Sequence, residues 1–265
     1  MTICIGAICS KSVVISADRM VTLQLPPTEF EHTSSKIDTL TDKSLFLAAG
    51  QILPATELLR RARAKLATHA ITGIEEIAKI VGGVYKEYRS EQIENIWLKP
   101  RNLTLDLFYK EGKCLNLPKE LALALDGQMI QYNLGVELII AGVDDAGGHL
   151  YSILNPGIYN CHDKIGYVAI GSGAMHALSS FIVNNYSVDF RLNNGAYIAF
   201  EAKFTAERAP GVGTETDMVI VSNKGVKFFE QKEIVLLRDA CSKIIKPKSA
   251  ESEAIIKSLP FEKEI

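Results

Sequence analysis

Apolar residues near the start of the chain fall in two dense runs, ICIGAIC at 3–9 and VVISA at 13–17. Joined through Ser10-Lys11-Ser12, they predict an antiparallel hairpin of strands over 2–9 and 13–20. After Leu25-Pro26-Pro27, KIDTL at 36–40 and SLFLAAG at 44–50 predict a second hairpin turning at Thr41-Asp42-Lys43, so four strands precede the first helix. Over 54–69 the pattern changes period: Leu58, Leu59, Ala62 and Leu66 recur at helical spacing while Arg60, Arg61, Arg63 and Lys65 fill the other face. A second helix over 73–89 carries Ile74, Ile77, Ile80, Val81 and Val84. The stretch 94–134 has no sustained period; it holds Trp97, a break at Lys99-Pro100 and a short helix around 120–130.

The second half repeats the alternation of strand blocks and helix blocks. VELIIAGVDD at 136–145 and GHLYSILNPG at 148–157 predict a hairpin turned at Ala146-Gly147, and GYVAIGSG at 166–173 ends a further strand. Helices over 174–183 and 194–207 follow, then strands at 216–222 and 226–230 around Asn223-Lys224-Gly225, and a last helix over 233–245. Strands grouped apart from helices predict an α+β arrangement of helix layers on antiparallel sheets, not alternating βαβ units.

Composition narrows the function. Lys+Arg 29 against Asp+Glu 31 gives a net charge of −2, without a block of like charge, which excludes the electrostatic footprint of a nucleic-acid binder. No stretch approaches the roughly 18 apolar residues of a membrane span. The start MTICIGAICS lacks a basic segment and a small-residue cleavage site, so it reads as a mature strand, with cytoplasm as the expected compartment. Five scattered cysteines without a C-x-x-C pair, and five histidines without ligand spacing, predict neither a disulfide framework nor a metal site, and no cofactor is expected. The GSG turn at 171–173 does not complete G-x-G-x-x-G, and Ile170 and Ala174 stand where G-x-S-x-G needs glycine.

The residue with chemical content is Thr2. A small side chain after Met1 suits removal of the initiator, which leaves a threonine bearing both a free amine and a hydroxyl. An α-amine titrates near 7.7–8.0, so it can take the hydroxyl proton at neutral pH without a histidine.

Thr2-Ile3 opening a strand, Ser16-Ala17-Asp18-Arg19 closing the next, Ser35-Lys36-Ile37, Ala48-Ala49-Gly50 before a helix and Gly171-Ser172-Gly173-Ala174 before another together resemble the proteasome β-subunit and HslV group of N-terminal nucleophile hydrolases. The resemblance runs over about 2–93 and 136–245 and implies a four-layer αββα sandwich. It implies one domain over 1–245, a segment at 94–134 inserted relative to the smallest members, and a polar tail at 246–265. That segment would cap the site or alter ring assembly.

Carried over by position, the resemblance makes Thr2 the nucleophile, Lys36 the cation beside it, Asp18 the carboxylate that keeps Lys36 charged, Gly50 the oxyanion donor and Ser172 an organiser of proton transfer. Ala48, Ile52 and Thr56 would line an apolar specificity pocket. Read without it, Asp18 is a turn or solvated charge, Lys36 a hairpin surface charge, Gly50 a glycine before a helix and Ser172 a helix cap.

One departure stands out. Active β-subunits carry an aspartate and a serine, three residues apart, after the fourth helix; here ERAPGVGTETD puts Ala209 and Val212 there, with Glu207 and Thr214 nearby. The expected function is a threonine-dependent peptidase or amidohydrolase acting on peptide or protein, assembled as a homo-oligomer, with any unfoldase partner unidentified. The alternatives are a catalytically silent assembly subunit, or a transpeptidase or small-amide hydrolase of the same superfamily.

Overall fold

The computed structural model describes residues 2–24, 27–33, 35–71 and 73–244; Met1 and the tail expected at 246–265 lie outside the described residues. The first apolar run forms β1 (Cys4–Cys9) and the second β2 (Ser12–Asp18). Both are nearly continuous in apolar character because both faces are covered. Ile5, Ala7, Cys9 and Val14 pack on one side, while Cys4, Ile8, Val13 and Ile15 pack on the other. The two-residue period of a strand sorts alternate side chains into two cores.

Two five-stranded antiparallel sheets result. One has the order β10 (Tyr167–Ile170), β1, β2, β11 (Thr216–Ser222), β12 (Gly225–Phe228). The other runs β5 (Ile37–Thr41), β6 (Ser44–Gly50), β7 (Val136–Asp144), β8 (Gly147–Leu154), β9 (Ile158–Cys161). Between them Cys4, Ile15, Leu47, Ile139 and Leu150 form a dry slab. Helices α4 (Ala174–Val183), α5 (Leu192–Ala206) and α6 (Gln231–Ile244) cover the first sheet. Helices α1 (Ile52–Leu66) and α2 (Ile74–Ile93) cover the second. This is the four-layer αββα sandwich. In α1, Leu58, Ala62 and Leu66 sit four residues apart on one buried face, and burial of each leucine contributes roughly 1.5–3 kcal/mol.

Among the described residues six strands precede α1, where the apolar pattern predicts four. The added pair, β3 (Met20–Gln24) and β4 (Pro27–Glu31), forms a separate antiparallel ribbon with Met20 opposite Glu31. Its β4 half, PTEFE, has too few apolar residues to register as a strand.

Residues 94–134 form short helical turns followed by α3 (Lys119–Gln131), packed around their own cluster of Ile93, Leu98, Phe108, Leu125 and Met129. The Arg89 guanidinium fastens this unit to α2 by donating to the carbonyls of Met129, Ile130 and Tyr132 at 2.9–3.0 Å. A cation is favourable there because the last carbonyls of α3 lack helical partners. Among the described residues no helix is long and apolar enough to cross a membrane.

Candidate active site

Thr2 lies two residues before β1, and the pairing of Cys4 with Ala17 sets Asp18, the last residue of β2, directly beside it. Asp18 is fully buried. Its Oδ1 accepts the Thr2 hydroxyl at 2.5 Å, the Ile3 N–H at 3.0 Å and the Lys36 ammonium at 2.5 Å. Its Oδ2 accepts the N–H groups of Met20 at 3.2 Å and Gly213 at 2.9 Å. Lys36, immediately before β5, also donates to the Thr2 hydroxyl in a very short contact. A buried carboxylate is tolerated only with such a set of donors and a counter-ion, and the sequence supplies both.

The GSG turn between β10 and α4 closes the other side. Ser172 Oγ accepts the Thr2 N–H at 3.3 Å and stands 3.4 Å from the carbonyls of Thr2 and Pro210, to either of which its hydroxyl can donate. Gly171 has φ +95°, and a Cβ there would strike the Thr2 carbonyl. Its N–H donates to Glu137 Oε2 at 2.9 Å. Gly50 ends β6 at φ +105°, where a Cβ would collide with the Gly135 carbonyl, so this backbone admits glycine alone without strain.

Two cavities meet at Thr2, Ala49 and Gly50. One, of about 380 Å³, is walled by Ala48, Ile52 and Thr56 together with Phe46, Ala55 and Leu59, and has Lys36 at its edge. The other, of about 500 Å³, contains Ser172, Glu137, Asn133 and Asn155. All eight residues singled out in the sequence therefore converge: Thr2, Asp18, Lys36 and Ser172 through hydrogen bonds, and Gly50, Ala48, Ile52 and Thr56 as cavity wall.

The loop after α5 differs from the pattern of active β-subunits in a specific way. Ala209 and Val212 are buried hydrocarbon in the core under α5. Glu207 and Thr214 are engaged away from Thr2. Glu207 accepts from Lys203 at 2.7 Å and Arg238 at 2.8 Å, and the Thr214 N–H donates to Glu31 at 2.5 Å. Lys203 is fully buried and also donates to the Gly213 and Thr214 carbonyls, each at 2.9 Å. Burial pushes the Lys203 ammonium below its ordinary pKa, opposed by the adjacent Glu207 carboxylate. Lys203 and Glu31 thus hold the loop from two sides, with Gly213 N–H presented to Asp18. Sequence reasoning missed this brace; its one signal was the Lys203/Glu207 pair spaced four apart on a helix.

Cys4, the other nucleophilic side chain nearby, is excluded by its surroundings, because burial pushes its thiol up to about 12 and its Sγ faces the Ala48 carbonyl at 3.5 Å.

Comparison with known proteins finds similarity over part of the chain. A sequence-family model described as Proteasome subunit matches residues 115–221, a span that includes Ser172 but not Thr2, Asp18, Lys36 or Gly50. Proteasome subunit beta 1 of Korarchaeum cryptofilum is 32% identical over 104 residues, 39% of this chain and 48% of that protein. Proteasome subunit beta 2 of Thermofilum pendens is 31% identical over 90 residues, 34% of this chain and 42% of that protein. The matched regions span under half the length of either relative. Over the matched residues the chain is thus similar to proteasome β-subunits, and its αββα layers are those that the resemblance implies.

Proposed function

We propose that the chain is a threonine-dependent peptide hydrolase in which Thr2, freed of Met1, is both nucleophile and base. The observation that carries this is the meeting of the Thr2 hydroxyl, the Lys36 ammonium and the buried Asp18 carboxylate between two cavities. Under this reading the Thr2 amine takes the hydroxyl proton as Oγ1 adds to the amide carbonyl. The adjacent Lys36 charge favours the developing alkoxide, and Asp18 keeps that ammonium charged in a low-dielectric setting. The Gly50 N–H faces the oxyanion. Collapse breaks the C–N bond, the departing amine takes the proton from the Thr2 ammonium, and water releases the acyl group from Oγ1. Ser172, in contact with the Thr2 nitrogen, positions the amine. The cavity of Ala48, Ile52 and Thr56 takes an apolar side chain on the acyl side. We further propose a homo-oligomeric assembly and a single functional unit over 1–245, in which 94–134 is an inserted segment.

A second reading, a silent assembly subunit, is favoured by the hydrocarbon at Ala209 and Val212. Turnover of fluorogenic peptides with an apolar acyl-side residue separates the two. The hydrolase reading expects turnover that Thr2→Ala abolishes and Thr2→Ser partly retains; absence of turnover in the native protein, or its survival in Thr2→Ala, refutes it.

A further inference from the structure

The cavity of about 500 Å³ on the Ser172 side of Thr2 has no role in the reading above, and its wall is chemically unlike that of its neighbour. Among the described residues lining it, Glu137 is the sole charged side chain. The cavity's other polar side chains beyond Thr2 and Ser172 are Asn133 and Asn155. Glu137 is held in place at one carboxylate oxygen by the Gly171 N–H, in the same turn that carries Ser172. Asn155 donates through Nδ2 to the Tyr132 carbonyl, and its buried Oδ1 has no partner among the described residues. Among the described residues the wall therefore offers a carboxylate with no lysine, arginine or histidine side chain to neutralise it, the Thr2 nitrogen apart; Lys36 lines the other cavity.

Position identifies which half of a substrate would lie here. A leaving amine must receive its proton from the Thr2 nitrogen, and that nitrogen faces Ser172 at 3.3 Å. The cavity containing Ser172 is thus on the leaving-group side, and the one containing Ala48 and Ile52 on the acyl side. We propose that the Ser172-side cavity is a subsite for the residue following the cleaved bond, and that Glu137 makes it select a basic one, lysine or arginine. The assignment to the leaving side rests on the Thr2 mechanism; the preference of the cavity for a cation does not.

The test therefore has a binding arm and a cleavage arm. The full chain is titrated calorimetrically with the dipeptide amides Lys-Leu, norleucine-Leu and Glu-Leu. A charge-assisted hydrogen bond in a half-open cavity favours the lysine peptide over norleucine by about three- to tenfold. That ratio falls between 50 mM and 500 mM salt as the charges are screened. Glu137→Gln keeps an oxygen for the Gly171 N–H but removes the charge, and should bring the ratio to within about twofold of unity. Equal binding of the three peptides, or a lysine preference that survives Glu137→Gln, overturns the proposal. In the second arm, peptides differing only in the residue after the cleaved bond are compared by kcat/KM, and the lysine substrate should lead by a similar factor. Cleavage without a lysine preference refutes the subsite and leaves the hydrolase reading standing. A Glu137-dependent binding preference in a protein that cleaves nothing does the reverse.

Discussion

Replacing Asp18 with asparagine is the most informative single change, because one buried carboxylate here receives five donors. The two oxygens divide them: Thr2 hydroxyl, Ile3 N–H and Lys36 on Oδ1, Met20 N–H and Gly213 N–H on Oδ2. An asparagine has one acceptor oxygen and an NH2 group that only donates. With its oxygen facing Lys36, the NH2 confronts the N–H groups of Met20 and Gly213 and leaves two donors unpaired, each at about 1–3 kcal/mol. Lys36, whose side chain is only 15% exposed, simultaneously loses its counter-ion. The sum is about 3–5 kcal/mol, in line with breaking a buried charge pair. At about 2–4 °C per kcal/mol for a domain of this size, Tm falls by roughly 6–20 °C. Thermal unfolding followed by circular dichroism, with urea titration for ΔG, measures it without reference to any activity. A loss under about 1 kcal/mol would refute the reasoning, for it would mean that the carboxylate is solvated and neither Lys36 nor the Gly213 loop depends on it.

Two other outcomes follow from the same structure. Lys203→Met removes a fully buried ammonium that ties Gly213 and Thr214 to α5; stability should drop by about 2–4 kcal/mol in urea, and less when Glu207→Gln is added, since the two side chains interact directly. His149 sits between Asp163 at 2.6 Å and Asp144 at 2.8 Å. Burial disfavours its charged form, but the two carboxylates outweigh that and raise its pKa above 6.5. A raised folded-state pKa gives stability that is complete below about pH 6.5 and is lost as pH rises through the folded value. The deficit of His149→Gln should therefore be larger at pH 6 than at pH 9, by up to about 1 kcal/mol; an equal deficit at both pH values contradicts the ion-pair assignment.

Much of the fold was legible because its strands are hydrophobic on both faces and its helices have one apolar stripe. Runs such as Val136–Asp144 and stripes such as Leu58, Ala62 and Leu66 leave little choice of period. The β3–β4 ribbon was not legible, since Pro27–Glu31 carries little apolar signal. Around Thr2, the resemblance nominates Asp18 and Lys36; residue type alone does not, because a carboxylate at a strand end and a lysine beside a hairpin look like solvated charges until the fold buries them together. The backbone N–H of Gly213 left no such trace, since a main-chain donor looks the same at every position. Apart from its spacing from Glu207, Lys203 carries no signal of its own in the sequence; only the return of the loop from α5 onto β2 makes it the buried tie between Glu207 and the Asp18 site. Glu137 is silent for a similar reason, being with Asp144 one of two charged residues in an otherwise apolar strand that borders the nucleophile only once folded.

The central claim, that Thr2 is a working N-terminal nucleophile, is tested most directly by the intact mass of the purified protein before and after exposure to a probe that reacts with the amine and hydroxyl of an N-terminal threonine together. The account predicts loss of the Met1 mass and gain of a single adduct that is absent from Thr2→Ala. Retention of Met1 with no adduct would contradict it and favour the reading as a silent assembly subunit.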